Sequence, residues 1–361
     1  MHRAFKALKA ALLGGAVALG LATNAGAADF SGKTIEWIIP FPVAGGSDVW
    51  ARFFAPILSE NLPGKPTVVV KNVPGGGSIV GTNRFQKIAK PDGLTILGTS
   101  GSTQFPYLLA DPRVKYEYKD WTPVLASPTG GVVYISPETG VKGPKDLAKI
   151  KGKKMKYGSQ GPTSLDLVPI LAFRLLGLDV DPVFGMKGRG DARLAFERGE
   201  ALIDYQTTSA YLRNVVPLVK AGKAIPLFSW GVLNDKGELV RDPTFPDLPH
   251  FVELYEMVYG KKPSGIEFEA FKSFCVAGFA VQKLIFLLNG TSPDIIEAYV
   301  KALQKGIAAP GFKEKAQAEL GDYDQATGNA AATMLKIALD VTPEARQWVR
   351  KWLTEKYSVK F

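Results

Sequence analysis

Reactive side chains are scarce in this chain. Its 361 residues include one cysteine, Cys275, and two histidines, His2 and His250. A single cysteine excludes an intramolecular disulfide, so the fold must stand on its apolar core, which a chain of this length can build. A Ser–His–acid triad needs a histidine beside its nucleophile. His250 sits in the Pro-rich segment Asp247-Leu248-Pro249-His250-Phe251, far in sequence from any Gly-flanked serine, and no serine stands in a G-x-S-x-G elbow. With so few His and Cys residues, a zinc site would consist mostly of carboxylates. Beyond the first residues there is also no long apolar run. Phe274 to Leu288 is broken by Gln282 and Lys283 and reads as core, not as a membrane span. Arg-rich and aromatic-interleaved basic motifs are missing too, which argues against nucleic acid as a partner. These absences favour binding over chemistry and predict no enzyme activity, no cofactor and no metal.

The chain does carry an apolar fraction of 46% with 22% charged residues, the balance of a globular protein. Arg3, Lys6 and Lys9 precede an apolar stretch from Ala10 to Ala22, followed by Ala25-Gly26-Ala27. This is the layout of a secretory leader cut after Ala27, and it predicts export to the periplasm. The formal charge of +10 falls to +7 without residues 1–27, which contain no acid. A surplus of scattered cations forms a solvated basic surface that also attracts anions.

The stretch Ile35-Glu36-Trp37-Ile38-Ile39-Pro40-Phe41-Pro42-Val43-Ala44-Gly45-Gly46-Ser47-Asp48 organises the remainder. A compact β-branched apolar run predicts a buried strand. Ser47 as N-cap, Asp48 in the first turn and Val49, Phe53, Phe54 and Ile57 at helical spacing predict a helix over 47–62. Gly45 and Gly46 let the backbone approach a small ligand at the positive end of that helix, a place that favours an anion.

Strand and helix patterns then alternate. Strands are expected at 34–41, 67–71 and 94–98, and helices at 47–62 and 78–89; this alternation predicts an α/β fold with a largely parallel sheet. From Trp121 the character changes, with β-like 124–126 and 132–135. A second α/β series follows over 154–158, 163–177, 180–184, 189–198, 201–205, 208–221 and 224–230. The expected organisation is residues 28–130 and 236–361 in a first lobe, with 131–235 inserted as a second. Residues 236–270 read as loop-rich because of Pro243, Pro246, Pro249 and Pro263, 271–288 as a returning strand region, and 292–308, 310–320 and 329–357 as helical. Two crossings between lobes predict a hinged cleft, with ligand at the carboxyl ends of strands.

Four small-residue turns follow strand candidates: 42–46, 72–78, 98–103 and 157–164. One such turn is only a tight connection; four at equivalent strand ends favour a shared cleft. The second fails as a nucleotide loop, because Thr82 stands where a P-loop needs lysine. Phe41, Phe105 and Tyr205 are aromatic residues in or next to these regions and read as core.

These motifs resemble one family. Ile38-Ile39-Pro40-Phe41-Pro42-Val43-Ala44-Gly45-Gly46-Ser47-Asp48 and Val70-Lys71-Asn72-Val73-Pro74-Gly75-Gly76-Gly77 are together similar to the substrate-binding proteins of tripartite tricarboxylate transporters, the Bug or TctC-like receptors. Lys90-Pro91-Asp92-Gly93-Leu94-Thr95-Ile96-Leu97, Lys156-Tyr157-Gly158-Ser159, Met186-Lys187-Gly188 and Phe245-Pro246-Asp247-Leu248-Pro249 extend the likeness over about residues 33 to 355. The resemblance implies a two-lobed, type II-like Venus-flytrap fold that closes on a small organic carboxylate and delivers it to integral-membrane permease subunits, the receptor being a monomer. It implies a first grip from Val43, Ala44, Gly45, Gly46 and Ser47 and a second from Ser159, Gly161, Thr163 and Ser164. Ser100, Ser102 and Thr103 would line the cleft, Asp204 would end an inner strand, and Asp48 would hold a water or a ligand N–H or O–H. A sensor that passes ligand state to a signalling partner, or an exported hydrolase or isomerase, are the alternative readings of the same chain.

Overall fold

The computed structural model describes residues 28–234 and 238–361. The leader expected at 1–27 lies outside them. Among the described residues no helix is long and apolar enough to cross a membrane.

The first lobe is built on a six-stranded sheet. It contains β1 (Thr34–Ile39), β2 (Thr67–Asn72), β3 (Thr95–Gly98) and β4 (Trp121–Ser127). The second lobe contributes β5 (Gly131–Ile135), β6 (Met155–Ser159), β7 (Val180–Phe184), β8 (Ile203–Thr207) and β9 (Ile225–Ser229), and a small hairpin, β10 (Val232–Leu233) with β11 (Leu239–Val240), follows. The chain then returns to the first sheet as β12 (Lys283–Leu288) and β13 (Ala326–Thr327). Sheet order in the first lobe is β13-β4-β12-β3-β1-β2. β1 pairs in parallel with β2 and β3, whereas β12 inserts antiparallel between β3 and β4. The sheet is therefore mixed and not largely parallel, because the strand that completes it arrives from the far end of the sequence.

Alternation along the strands sets the two faces. Ile35, Trp37 and Ile39 of β1, with Ile285 and Leu287 of β12, bury against α1 (Gly46–Asn61) and a later helix. Ile38, Leu97, Leu284 and Phe286 bury on the opposite face with Phe85 of α2 (Ile79–Ile88). A third helix, α3 (Gly101–Leu108), follows β3 and precedes β4, from which the chain enters the second lobe.

In that lobe β5 is the centre of an antiparallel trio, β8-β5-β9, and β6 and β7 form a parallel pair. The N–H of Leu202 donates to Lys156 O at 3.2 Å and ties the pair to the trio. Helices α4 (Leu167–Leu175) and α5 (Arg189–Glu197) cover β6 and β7. After β8 come α6 (Thr208–Ala210), a π-turn over 211–215 and α7 (Val216–Lys220).

The C-terminal third departs from expectation in two ways. The loop-rich expectation for 236–270 holds for much of its described part, but α8 (Phe251–Tyr259) and the start of α9 (Ile266–Cys275) lie within it, and the strand expected from 271 begins only at β12, because α9 and a π-turn over 276–280 come first. The start of α8 was hard to read because its N-cap is His250, whose Nδ1 accepts from Val252 N while Glu253 accepts from His250 N, a capping box without the usual Ser, Thr, Asp or Asn. The second departure concerns the lobes. Phe251, Leu254, Phe271, Phe274, Val349 and Leu353 share one core with Val133, Tyr157 and Leu171 of the second lobe. Helices α8, α9 and α13 (Pro343–Tyr357) thus complete the second lobe, whereas α10 (Pro293–Ile307), α11 (Phe312–Glu319) and α12 (Asn329–Leu339) belong with the first sheet. The boundary expected at 235/236 placed all of 236–361 with the first lobe. The chain instead crosses between lobes again at 276–282 and near 340, because α9 and α13 bury their apolar faces in the core that α4 shares with the second-lobe strands.

Candidate functional site

Between the lobes lies a cavity of about 30 Å³, lined by Phe41, Pro42, Gly45, Gly46, Ser47, Ser100, Ser102, Gln160, Leu165, Gly188, Arg189, Gly190, Thr207 and Gln282. That volume holds about two water molecules. The walls touch around it. Ser209 Oγ donates to Gly46 O at 3.2 Å, and Leu165 N–H donates to Ser102 Oγ at 3.0 Å. A Cβ on Gly46 would lie 2.2 Å from Thr207 Oγ1, and one on Gly188 would lie 2.7 Å from Pro42 Cδ. Glycine at both positions is what lets the lobes come this close.

Three helix N-termini meet at the cavity. α1 begins behind Gly45 and α5 behind Gly188, and neither N-cap supplies a side-chain hydrogen bond. Their first N–H groups and dipoles are therefore available to an anion. α3 begins at Ser100, whose Oγ accepts from Ser102 N at 3.2 Å while Thr103 Oγ1 accepts from Ser100 N at 3.3 Å. Ser100 and Ser102 both spend an oxygen lone pair on an N–H, and their hydroxyl protons stay free to point at a ligand. No lining residue is a carboxylate, and the only charged one is Arg189.

Arg189 is held rigidly. Its Nη1 donates to Gly158 O at 2.7 Å and reaches Asp166 at 3.4 Å; its Nη2 donates to Asp204 and, at 2.9 Å, to Tyr205 O. The guanidinium lies 4.4 Å from the Tyr205 ring centroid and 5.1 Å from that of Tyr157. Burial alone would lower its pKa, but Asp166 and Asp204 outweigh that and hold it well above the ordinary value. Burial pushes the Asp204 carboxyl up, against the pull of Arg189 and the hydrogen bonds from Tyr134 and Gln206.

The expected site residues divide by this geometry. Gly45, Gly46, Ser47, Ser100 and Ser102 line the cavity. Val43 is exposed, and Ala44 takes a left-handed φ of 64° in the turn beneath it. Asp48 accepts from Ala44 N at 2.9 Å, from Arg52 Nε at 3.0 Å and from Asn72 Nδ2 at 3.0 Å, so it braces that turn and does not line the cleft. Thr103 completes the α3 capping box. Ser159 donates to Asp166, Gly161 N–H donates to Ser159 Oγ, and Ser164 donates to Gly161 O. These three shape the β6–α4 turn from within. Thr163 Oγ1 donates to Asp111 at 3.0 Å, joining that turn to the end of α3. Asp204 is fully buried, with its oxygens taken by Arg189, Tyr134 and Gln206. Sequence reasoning missed Gln160, Arg189, Thr207 and Gln282. Arg189 carried a usable signal, a cation between Gly188 and Gly190 at the start of a predicted helix. Gln282 carried only the negative one of interrupting an apolar run.

A family model described as the tripartite tricarboxylate transporter family receptor matches residues 51–346. The chain belongs to that family. A UPF0065 protein of Bordetella pertussis is 30% identical to this receptor over 309 residues, covering 82% of this chain and 84% of that protein. The solved structure of the periplasmic binding protein BugD superposes with a TM-score of 0.69 at 22% identity, over 92% of this chain and 99% of that one. MatC from Rhodopseudomonas palustris, solved with bound malate, gives a TM-score of 0.65 at 18% identity, over 89% and 100%. Both structural likenesses establish the receptor's two-lobed binding-protein fold.

Proposed function

We propose that this receptor is exported to the periplasm, captures a small organic carboxylate between its lobes without chemical change, and presents it as a monomer to the membrane permease subunits of a tripartite transporter. One observation carries the ligand class: three helix N-termini, two of them uncapped, converge on a cavity that no carboxylate side chain lines. The malate in MatC is the same kind of ligand on the same fold. Capture needs only preorganised donors and a shift from an open to a closed population. A cavity with room for two waters is the closed end of that equilibrium.

The test is a thermal-shift and mass-spectrometry screen of residues 28–361, first stripped of bound solute by unfolding and refolding. Carboxylates, amino acids, phosphate and sugars form the panel. Concentration-dependent stabilisation by a carboxylate class is the expected result. Stabilisation by phosphate or sugars alone would retain the flytrap and refute the carboxylate.

A further inference from the structure

A second and larger cavity, about 470 Å³ in volume, lies at the hinge. It shares no lining residue with the cleft. Its floor is made by two of the chain crossings between lobes, at Pro128-Thr129 and at Phe279-Ala280, and Thr129 N–H joins them by donating to Phe279 O at 3.0 Å. One wall is the β10–β11 hairpin, where Leu239 packs against the second-lobe core. Another is the segment 322–325 with Met334 of α12, which packs against a first-lobe core. A space of this size with mainly apolar walls has the dimensions of a small-molecule site. Thr129 adds a polar mark, since it is more than nine-tenths buried and its hydroxyl has no hydrogen-bond partner.

The charge of this cavity is the reverse of the cleft's. The cleft has Arg189 and three helix N-termini on its walls. Among the described residues no lysine, arginine or histidine lines the hinge cavity, and Asp322 and Asp324 stand exposed at its rim. Neither aspartate has a cation within ion-pair distance among the described residues. In a chain whose formal charge is +10, two such carboxylates beside an apolar space are a local inversion. They repel an organic acid and attract an ammonium group whose apolar body fills the space behind them.

The segment that carries these aspartates also bridges the lobes. Tyr323 Oη donates to Asp242 Oδ2 at 2.7 Å and lies 2.7 Å from Thr208 Oγ1, and Asp322 N–H donates to Thr244 Oγ1 at 2.9 Å. Rotation of one lobe against the other changes the spacing of the cavity walls. The cavity has this shape with the lobes in contact, so a guest that fits it binds the closed form more tightly. We propose that the hinge cavity is a second binding site, for a small apolar ammonium compound, and that its guest favours closure of the receptor. The inference goes beyond the receptor reading and does not depend on which solute fills the cleft.

Isothermal titration of the stripped protein at pH 7 with 4-phenylbutylamine and 4-phenylbutanol, which share a body and differ in head group, tests this. The amine should bind saturably and about three-fold or more tighter than the alcohol, the modest preference that two exposed carboxylates supply. That preference should vanish in the double variant Asp322→Asn/Asp324→Asn and shrink in about 1 M salt. Met334→Trp, which fills part of the space, should weaken both probes about ten-fold or more. In small-angle scattering the amine alone should contract the stripped protein. Absence of saturable amine binding, equal or tighter binding of the alcohol, or a preference that survives loss of both carboxylates overturns the site. An unchanged radius of gyration at saturation with the amine overturns its link to closure. Each of these results leaves the carboxylate reading of the cleft in place. If Met334→Trp does not fold, the double variant decides alone.

Discussion

Lys283 shows how one residue can oppose the fold that holds it. It opens β12 beside Gln282, is almost fully buried, and among the described residues has no carboxylate within ion-pair distance. Burial pushes its amine from the ordinary 10.5 down to about 7. The unfolded chain therefore binds this proton more tightly, and the cost to the native state is largest below pH 7 and shrinks as pH rises toward 10.5. Lys283→Met should be the more stable protein at pH 6.5, and its advantage in urea unfolding should fall by about 2.5 kcal/mol by pH 9, the slope approaching roughly 1.4 kcal/mol per pH unit above 7. A pH-independent difference between the two proteins would refute this. Arg189 is the opposite case, since Asp166 and Asp204 depend on it. Arg189→Met strands both buried carboxylates and should cost about 3–5 kcal/mol in urea unfolding at pH 7. A loss under 1 kcal/mol would show that the cluster is not coupled as drawn.

At the scale of elements, the first turn of α1 is where the lobes touch. Gly46 has ordinary helical geometry, so alanine there should leave the free protein as stable as before or stabilise it by up to about 1 kcal/mol. Its methyl would collide with Thr207 Oγ1 at 2.2 Å only when the lobes meet. Gly46→Ala should therefore weaken ligand binding ten-fold or more in calorimetry with no loss of melting temperature. Adding Thr207→Ala, which removes the 2.2 Å contact and leaves Ser209 Oγ at 3.2 Å and the Cβ of residue 207 at 3.6 Å, should restore much of the closure. Helix α13 makes a different demand. Leu353 is fully buried in the core shared with α9 and the second-lobe strands. Leu353→Ala should cost about 2–5 kcal/mol, and hydrogen exchange should rise first in β6, α4 and α9 while β1–β3 stay protected. Loss of protection in β1–β3 first would return α13 to the other lobe.

Over the whole molecule the proposed function is a two-state closure. Polar contacts across the cleft include Ser209 to Gly46 O, Leu165 N to Ser102, Thr163 to Asp111 and Thr208 to Tyr323. A net hydrogen bond contributes only about 0.5–1.5 kcal/mol, so a ligand with differential affinity for the closed form can set the population. In small-angle scattering the stripped protein should contract on saturation with its carboxylate. At a hundred-fold excess over Kd the folded state should gain about 2.7 kcal/mol. An unchanged radius of gyration at saturation would refute closure as the binding step.

The α/β class, the anchoring strand–turn–helix and the turns that line the cavity were readable because each depends on local pattern: β-branched runs, a glycine pair before a helical stripe, turn residues after a strand. Gly45, Gly46, Ser47, Ser100 and Ser102 were legible for that reason, and local motifs also carried the family. What needed tertiary structure was everything decided by partners distant in sequence. Whether Ser159, Ser164 and Asp204 face a ligand or brace a turn depends on which hydrogen bonds they find, and Asp204 finds Arg189 and Tyr134. Gln282 gained its place only because β12 inserts between β3 and β4, and α13 joined the second lobe only because its apolar face packs on α9 in the core shared with α4. Periodicity along a chain fixes which faces must be buried, but long-range packing decides against what, and the chemistry of the cleft follows from that choice.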